Sequence, residues 1–362
     1  MPRRLPLNTK CQILRPRDGC KVMRSQIRGI HDTSASPSLP QDKSPRTSPQ
    51  AASHAVSNSF LLKSKHGDFG KIQASRPAFR RSLAVEISQT PDPAWQYGKG
   101  VNDKSGQHLR HVEIDPYQVG RDMLSNYKLL IAGIPRPISF VSTVSMDGKK
   151  NLAPFSYFQV VDHDPPILVI GFSARAGRPK DTRRNLIETG ECVISVVSDH
   201  MIEAVNATSL DVPHNVSEWG LSGFKAASSS TVKAKRVEDA IFSIEGKLLE
   251  MKELDYGHER NGKPHGSLAI IQATRFWVRE DALNEAGDDI DLSRMRPLVQ
   301  LGGIAYGRVR ETFELPRPGL EAELENESKG LRPFLNHNVR PLAEDPSGLP
   351  HEDPEQPSKA VA

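Results

Sequence analysis

Short apolar runs rich in β-branched residues, separated by turn signals, recur between about residues 115 and 306. Runs of this length and composition are typical of β-strands. They predict at least six strands, at 136–145, 151–161, 167–172, 192–197, 240–249 and 268–278. One stretch, 181–189, has helical character, and Gly190 is placed to end that helix.

The connections between these runs indicate the fold class. Asp147-Gly148, between the first two runs, is a hairpin signal. Because hairpins are frequent and helices few, the pattern predicts a mainly β, antiparallel barrel with a few peripheral helices rather than alternating βα units. Pro154 has no backbone N–H to donate, so its strand is expected at a sheet edge or bulged there.

Both ends of the chain differ from this central region. Residues 1–85 hold sixteen Lys and Arg against four Asp and Glu, whereas the rest of the chain holds thirty-two against forty. The first hundred residues show no sustained apolar period, and residues 314–362 are Pro-rich with ten acidic and five basic residues. We therefore expect one folded domain at 110–312, a disordered basic extension at 1–109 and a disordered acidic tail at 313–362.

Charge, hydropathy and cysteine content limit the function classes. The excess basic charge is confined to one end, so we expect no nucleic-acid surface spread over the fold. No apolar run approaches the roughly 18 residues of a membrane-spanning helix, so we expect no membrane partner. Only three cysteines are present, too few for a disulfide framework, which favours an intracellular, reducing compartment.

Two interpretations remain open for the basic end. It is Arg- and Ser-rich and poor in acidic residues, as mitochondrial transit peptides are, and residues 28–31 resemble matrix-protease cleavage sites. Alternatively it is a disordered basic tail, or an extended gene model that really starts at Met23 or later. Pro2, Pro6 and Pro16 disfavour a helix starting at Met1. The expected location is therefore mitochondrial or cytoplasmic.

Motifs for nucleophilic, metal or nucleotide-loop chemistry are missing from the sequence. It contains no Gly-x-Ser-x-Gly, no His-Glu-x-x-His, no Walker loop and no Gly-x-Gly-x-x-Gly. The twelve histidines are scattered, and His163, His200, His214, His258 and His265 lack the spacing of metal ligands. We therefore predict no metal site and assign no catalytic residue.

Polar and small residues instead gather on and just after the predicted strands. Ser142-Thr143 lies in the first strand and 151–156 opens the second. The segment 173–182 leads from a strand into the predicted helix, and its hydroxyl and cationic side chains together with a helix N-terminus suit a phosphate group. Asp181 or Thr182 could cap that helix. Taken alone, this segment is better explained as a basic loop that only keeps a strand end soluble.

Several motifs in fixed order carry a resemblance to a known family. They are Arg136-Pro137-Ile138, Ser142-Thr143, Asp147-Gly148, Asn151-Leu152-Ala153-Pro154-Phe155-Ser156, Asp164-Pro165-Pro166, Lys180-Asp181-Thr182-x-x-Asn185 and Leu301-Gly302-Gly303-Ile304-Ala305-Tyr306. Over about residues 115–310 the chain closely resembles the flavin reductase-like family, whose members, flavoredoxin among them, have the FMN-binding split β-barrel fold with Greek-key-like strand order. Many relatives carry Arg just before the Gly-Gly pair, where this chain has Gln300-Leu301, and a polar insertion at 213–230 interrupts the barrel.

The resemblance implies a homodimer that binds FMN near the subunit interface. Ser142 and Thr143 would lie along the isoalloxazine, and Asn185 would give structural support. The edge of the flavin would be held by Asn151, Ala153, Pro154, Phe155 and Ser156. The phosphate would be surrounded by Ser173, Arg175, Lys180, Asp181 and Thr182, with Lys180 or Arg175 as countercharge and Asp181 as a capping or orienting residue.

The resemblance further implies an FMN-dependent oxidoreductase, most simply an NAD(P)H-dependent flavin reductase with NADH or NADPH as transient co-substrate. One alternative is an FMN-dependent oxygenase or oxidase of a small organic substrate. The other is a non-catalytic flavin-binding or electron-carrier protein. Hydride transfer to flavin needs ring orientation and charge stabilisation rather than an acid–base pair, which agrees with the missing catalytic motifs.

Overall fold

The computed structural model of the protein describes residues 67–81, 84–174, 179–214, 216–255 and 265–335. The candidate transit segment in residues 1–66, the end of the acidic tail (336–362) and Arg175 lie outside this part. Its helices are α1 Phe69–Ser75, α2 Met123–Gly133, α3 Asp181–Thr189, α4 Ile202–Ala207, α5 Glu218–Ser222, α6 Leu292–Met295, α7 Leu320–Glu325 and α8 Arg332–Leu335. Its strands are β1 Glu86–Ser88, β2 Arg136–Pro137, β3 Ser139–Val144, β4 Lys150–Phe155, β5 Phe158–His163, β6 Pro166–Phe172, β7 Glu191–Val196, β8 Ala226–Ala227, β9 Arg236–Val237, β10 Phe242–Leu254, β11 Gly266–Val278, β12 Leu298–Gln300, β13 Tyr306–Arg308 and β14 Glu311–Phe313.

Seven of these strands form the main sheet, in the order β4-β3-β7-β10-β11-β6-β5, and every pair in it is antiparallel. The strands β4 and β5 are the two edges of the sheet, yet only Ser156 and Tyr157 separate them along the chain. Two residues span only about 7 Å, so the two edges must meet at this point and the sheet must curl around. The fold is therefore a mainly β, antiparallel split barrel, which confirms the predicted fold class.

The local signals of the sequence produce the expected elements. The β3–β4 turn closes through a hydrogen bond from the Gly148 N–H to the Ser145 carbonyl (2.9 Å). Helix α3 covers the predicted residues and ends at Gly190, whose left-handed φ of 70° is readily adopted by glycine. Pro154 lies on the edge strand β4 and pairs only with Phe140 of β3, as its missing N–H requires.

Two apolar clusters pack on opposite faces of the strands. Val141 and Phe155 belong to the inner cluster, which Leu186 of α3 closes from one end. Phe140 and Leu152 belong to the outer cluster, which also includes Trp219 of α5. This alternation follows from the strand geometry, in which neighbouring residues point to opposite faces.

The insertion at 213–230 covers the barrel instead of interrupting it. Its helix α5 packs beside β4, and the Glu218 carboxylate accepts a hydrogen bond from the Leu152 N–H (3.2 Å). The Ser217 hydroxyl donates to the Lys150 carbonyl (2.7 Å). These two contacts satisfy backbone groups on the open edge of β4, which would otherwise be available for pairing with another chain.

A buried carboxylate fixes the segment that follows the insertion. Glu245 of β10 is 0% exposed. It accepts hydrogen bonds from the Ser230 N–H (2.7 Å), the Thr231 N–H and hydroxyl (both 2.6 Å) and the Trp277 indole N–H (2.7 Å). Burial by itself raises the pKa of Glu245, but these donors together outweigh it, so its pKa lies below the ordinary range. The Arg236 guanidinium lies 3.7 Å over the Trp277 ring and covers the cluster.

The described ends of the chain differ from the prediction of disorder. Strand β1, in the predicted extension, pairs in parallel with β14, which begins at Glu311 and ends in the predicted tail. The Tyr97 N–H donates to the Lys329 carbonyl (2.9 Å), again joining the two ends. Both contacts are backbone pairings between segments more than 200 residues apart, so no local apolar pattern predicts them. The domain boundary at 110–312 is too narrow for these residues.

Within the described ranges, no helix combines the length and apolar character needed to cross a membrane.

Candidate functional site

Three elements bring a group of polar side chains together inside the barrel. The Asn151 side-chain amide of β4 donates to the Thr143 hydroxyl of β3 (3.2 Å) and to the Thr182 hydroxyl of α3 (2.9 Å). The Asn185 amide, one turn along α3, also donates to Thr143 (3.0 Å). All four side chains are buried. They fix the start of α3 against the first two barrel strands, and the position of Asn185 agrees with the support role expected of it.

We expect the buried hydrogen bonds of Asn151 to contribute to the stability of the protein. Replacement of Asn151 by alanine removes the donor for two buried hydroxyls, so we expect the free energy of unfolding to fall by about 1–3 kcal/mol. Urea denaturation measures the change. Asn206→Ala, at an exposed position of α4, is the matched control and should stay within about 0.5 kcal/mol of the parent. Equal losses in the two variants would contradict a special role for the Asn151 contacts.

The predicted flavin residues of β3 and β4 divide between the two faces. Thr143, Asn151, Ala153 and Phe155 lie on the inner face. Ser142 lies on the opposite face, where its pairing partner Leu152 packs in the outer cluster. The Ser142 side chain is therefore separated from that of Thr143, although the two residues are adjacent in sequence.

A second group lies where β4 ends and α3 begins. The Lys180 ammonium lies 5.2 Å from the centre of the Phe155 ring. The Phe155 ring in turn contacts that of Phe172 edge-on, with 5.1 Å between the ring centres. Ser173 follows Phe172 and is exposed at the end of β6. The structure thus brings three of the predicted phosphate-site and ring-site residues to one end of the barrel: Lys180, Phe155 and Ser173.

The predicted helix cap is wrong. Lys180 occupies the N-cap position of α3, and no side-chain hydrogen bond from the described residues caps the helix. Asp181 is the first helical residue, and its carboxylate instead faces the Arg184 guanidinium (3.2 Å) and Nδ1 of His214 (3.3 Å). The Thr182 hydroxyl accepts a hydrogen bond from the Asn151 side-chain amide of β4. Asp181 is held by these two partners, which matches an orienting role better than a capping one.

Two side chains at the seam of the barrel, Tyr157 and Arg136, have contacts that the sequence did not predict. Tyr157 lies between the edge strands, where its carbonyl accepts from the Gly171 N–H (2.7 Å). A Cβ on Gly171 would lie 3.0 Å from the Cβ of Tyr157, so a larger residue at position 171 would push the two strands apart by a few tenths of an ångström. Burial, and then the nearby Tyr127, raise the pKa of the Tyr157 hydroxyl, while Arg136 and a side-chain hydrogen bond with Ser173 oppose the rise.

Arg136 joins four segments around the same seam. Its Nη1 donates to the carbonyls of Ile131 (2.9 Å) and Ile134 (2.7 Å), where α2 ends. Its Nη2 donates to the Leu301 carbonyl (3.3 Å), and its Nε donates to the Ser156 hydroxyl (3.3 Å). The side chain is 8% exposed. The Leu-Gly-Gly motif is therefore tied to the barrel edge through Arg136, a contact that sequence spacing does not reveal.

The donor set fits a phosphorylated ligand with a planar ring. Lys180, Ser173 and the start of α3 supply cationic, hydroxyl and backbone N–H groups. The acidic side chain nearest to them, Asp181, is balanced by Arg184 and His214. Asn185 Oδ1 is a buried acceptor without a hydrogen-bond partner among the described residues. By contrast, no group of three His, Cys, Asp or Glu side chains that could hold a metal ion occurs in the part of the chain that the structure covers.

Known proteins share this architecture. The family model described as "Flavin reductase like domain" matches residues 131–300. The uncharacterized protein BH2278 of Halalkalibacterium halodurans is 33% identical over 216 residues, which cover 59% of this chain and 100% of that protein. Uncharacterized protein YwrF of Bacillus subtilis is 34% identical over 193 residues, covering 53% and 93%.

Solved structures give the same result. Nitrilotriacetate monooxygenase component B from Bacillus cereus is similar with a TM-score of 0.53 at 33% identity, covering 57% of this chain and 99% of that one. The 2-nitrobenzoate 2-nitroreductase NbaA of Pseudomonas fluorescens is similar with a TM-score of 0.50 at 26% identity, covering 58% and 98%. The fold and these similarities define a split-barrel flavoprotein of the oxidoreductase class. The chain belongs to the flavin reductase-like family.

Proposed function

We propose that this protein is an FMN-dependent NAD(P)H:flavin reductase. The observation that carries the proposal is the meeting of Lys180 and the start of α3 with the polar side of β3 and β4 at one end of the barrel. Such a site offers cationic and N–H donors for a phosphate next to a surface for a planar ring. When bound, FMN supplies the N5 position that accepts hydride from a nicotinamide.

The phosphate end of this site rests on charge. Lys180 and Thr182 lie at the start of α3, where the helix dipole favours an anion. Ser173 adds a hydroxyl from the end of β6, and Arg175 follows it in the sequence. Asp181 would repel a phosphate if it were unpaired, but Arg184 and His214 contact its carboxylate, and the Arg184 guanidinium offsets its charge. We infer that Asp181 orients this part of the site and that Lys180 supplies the countercharge.

The ring end rests on the edge strand. Asn151, Ala153, Pro154, Phe155 and Ser156 form one continuous stretch of β4 and its exit, at the edge of the main sheet. An edge strand has backbone groups on its open side, and these can face the rim of a heterocycle. Arg136 holds Ser156 in place through its Nε. The role that we assign to these residues is to orient the ring, since hydride transfer depends on the alignment of the two reacting rings.

An absorption experiment tests the proposal. Purified full-length protein is mixed with FMN, freed of excess ligand and titrated anaerobically with NADH and with NADPH. We expect flavin absorption that bleaches with one or both nucleotides, and a protein heated to unfolding is the control for free flavin. A colourless protein that does not bind micromolar FMN (on the order of −8 kcal/mol) contradicts the flavin site. Bound flavin that neither nucleotide bleaches would instead favour a non-catalytic carrier.

A second candidate keeps the flavin and changes the acceptor. The 26% identity to a protein named as a 2-nitrobenzoate 2-nitroreductase favours a small organic substrate that takes electrons directly. Product analysis separates the two candidates. Turnover of NAD(P)H that converts a nitroaromatic acid and does not depend on free flavin supports this one. New oxygenated products formed only in air would support an FMN-dependent oxygenase or oxidase.

We further propose that the active form is a homodimer. The edge strand β5 is exposed along most of its length, with Val160 and Val161 each 57% exposed. Leu129 and Leu130 of α2 are exposed as well, at 50% and 60%. Apolar edges of this kind are normally covered, and a second copy of the chain is the simplest partner. Light scattering coupled to size-exclusion chromatography should give twice the chain mass of 40.0 kDa.

The basic end provides a separate prediction about location. We propose that the basic segment within residues 1–66 directs the protein to mitochondria, since its composition is that of a transit peptide. Fused to a fluorescent reporter, this segment should give a mitochondrial pattern, and replacement of its arginines by glutamine should abolish that pattern. A diffuse cytosolic signal from the unchanged segment would contradict the targeting role and leave the flavin site unaffected.

A further inference from the structure

We propose that a pocket between the N-terminal segment and the C-terminal strands binds a phosphoryl group. Four arginines line it: Arg81, Arg296, Arg308 and Arg310. Asp199 supplies the only carboxylate among the described residues that line it. This arginine pocket shares no residue with the flavin site proposed above.

Charge is the first argument. Four guanidinium groups remain protonated at any physiological pH, and one carboxylate offsets only one of them. The Asp199 side chain is only 4% exposed. Its carboxylate forms ion pairs with Arg296 Nε (3.3 Å) and Arg308 Nη1 (3.6 Å). The pocket therefore keeps three positive charges in excess over its lining, and like charges held in one cavity repel each other unless an anion joins them.

Two arginines of the pocket donate to carbonyls of the N-terminal segment, and one of the two also has a buried N–H donor without a described partner. Arg310 Nη2 donates to the Ala84 carbonyl (3.3 Å), but its Nε is buried without a hydrogen-bond partner among the described residues. Arg308 Nη1 also donates to the Arg80 carbonyl (3.0 Å). Buried N–H groups in folded proteins are nearly always paired, so an unpaired one in a cationic cavity indicates a missing acceptor.

Arg296 has a left-handed backbone conformation that is unusual for an arginine. Its φ is 44°, and it is the only non-glycine residue in the described part with a positive φ. Arg296 ends helix α6 in this left-handed conformation, where glycine or asparagine would cost less. Conformations of this kind persist where the side chain is needed, and here the side chain faces Asp199 and the pocket.

Size and geometry narrow the ligand. The cavity is small, with about 20 Å³ of enclosed space. A space of this size suits one small ion such as a tetrahedral oxyanion and not a whole drug-sized ligand. Guanidinium groups bind phosphate through paired N–H donors, so several of them around one small cavity suit a phosphoryl group. Its source is either free inorganic phosphate or a phosphate monoester such as the 2′-phosphate of NADP⁺, with the rest of the nucleotide outside.

Calorimetric titration of the full-length protein at low salt tests the proposal with three probes: sodium phosphate, NADP⁺ and NAD⁺. We expect phosphate or NADP⁺ to bind and NAD⁺ to bind at least tenfold more weakly at this pocket. Tighter binding of NADP⁺ than of phosphate identifies the nucleotide as the source, and the reverse identifies the free ion. No binding of either below about 10 mM overturns the proposal.

Variants locate the binding. Arg81→Ala removes an exposed guanidinium, and Arg296→Lys keeps the charge beside Asp199 but loses the paired donors. We expect each to weaken binding about tenfold. The matched control is Arg294→Ala, two residues away and outside the pocket lining, which should bind as the parent does. Unchanged affinity in both pocket variants, or an equal loss in the control, overturns the proposal.

Lys180→Ala separates this pocket from the flavin site. We expect it to leave phosphate binding at the arginine pocket unchanged, whether or not the protein binds flavin. If binding is instead lost only in Lys180→Ala, the anion occupies the start of α3 and the arginine pocket is purely structural. That result would overturn the present inference and leave the proposed flavin reductase activity standing.

Discussion

Replacement of Lys180 by alanine is expected to raise the Kd for FMN roughly 10- to 150-fold and to leave the Kd for riboflavin nearly unchanged. The two ligands differ only in the phosphate, and a charge-assisted bond to phosphate contributes about 1.5–3 kcal/mol. Lys180 occupies the N-cap position of α3 and its ammonium lies over the Phe155 ring, at the end of the barrel where the phosphate is proposed. Quenching of flavin fluorescence measures both dissociation constants.

The control for this experiment is Lys247→Ala, which removes the same charge from an exposed position on β10. It should bind both ligands as the parent protein does. If Lys180→Ala weakens riboflavin as much as FMN, Lys180 acts on the ring or on the fold, and the phosphate is held elsewhere. The same experiment on Arg175, which follows Ser173 in the sequence, shows whether the countercharge is shared.

Replacement of Glu245 by glutamine is expected to cost at least about 3 kcal/mol of stability at neutral pH. The carboxylate accepts four hydrogen bonds, and an amide replaces one acceptor oxygen with an NH₂ group that faces the same donors. Ser230, Thr231 and Trp277 would then lose part of their pairing inside the protein. Chemical denaturation measures the loss, and Glu250→Gln, exposed on the same strand, is the matched control with little expected effect.

The same carboxylate predicts a pH dependence. The pKa of Glu245 is lower in the folded protein than in the unfolded chain, so its contribution is complete above the ordinary pKa of a glutamate. As the pH falls through the lower, folded-state value, the contribution is lost. We expect the parent protein to lose more stability between pH 5 and pH 3 than Glu245→Gln does, because the variant has no proton to take up there. An equal loss of stability in the two proteins over this pH range would contradict this account.

Much of the barrel could be predicted because its signals are local. The turn at Asp147-Gly148, the end of α3 at Gly190 and the edge position of Pro154 each depend on the conformational limits of a single residue. The apolar runs likewise predicted the strands, since a strand buried on one or both faces must carry its own apolar side chains. Motif order then indicated the family, which the comparisons confirmed.

The candidate site was predictable only as a set of positions. The sequence placed Ser142 and Thr143 together, but the pleat of β3 sends them to opposite faces. It also proposed Asp181 or Thr182 as the helix cap, whereas contacts with His214 and Asn151 take both side chains away. The separation of Ser142 from Thr143 follows from the predicted strand itself. The two helix contacts depend on residues up to 33 positions away in the chain, which no local pattern encodes.

The sequence by itself determined most strands of the main sheet, the helix 181–189, the class of fold and the family, because each of these follows from residue type and spacing along the chain. The run 151–161, predicted as one strand, is divided between β4 and β5, which form opposite edges of the sheet. The features that depend on long-range contacts were decided by the tertiary structure alone. It paired β1 with β14, joined Arg136 to Leu301, gathered four donors around Glu245 and collected the arginines around Asp199. The physical reason is that a charge or an N–H group takes its pKa, its partner and its function from whatever the fold packs against it, and those neighbours are distant in the chain.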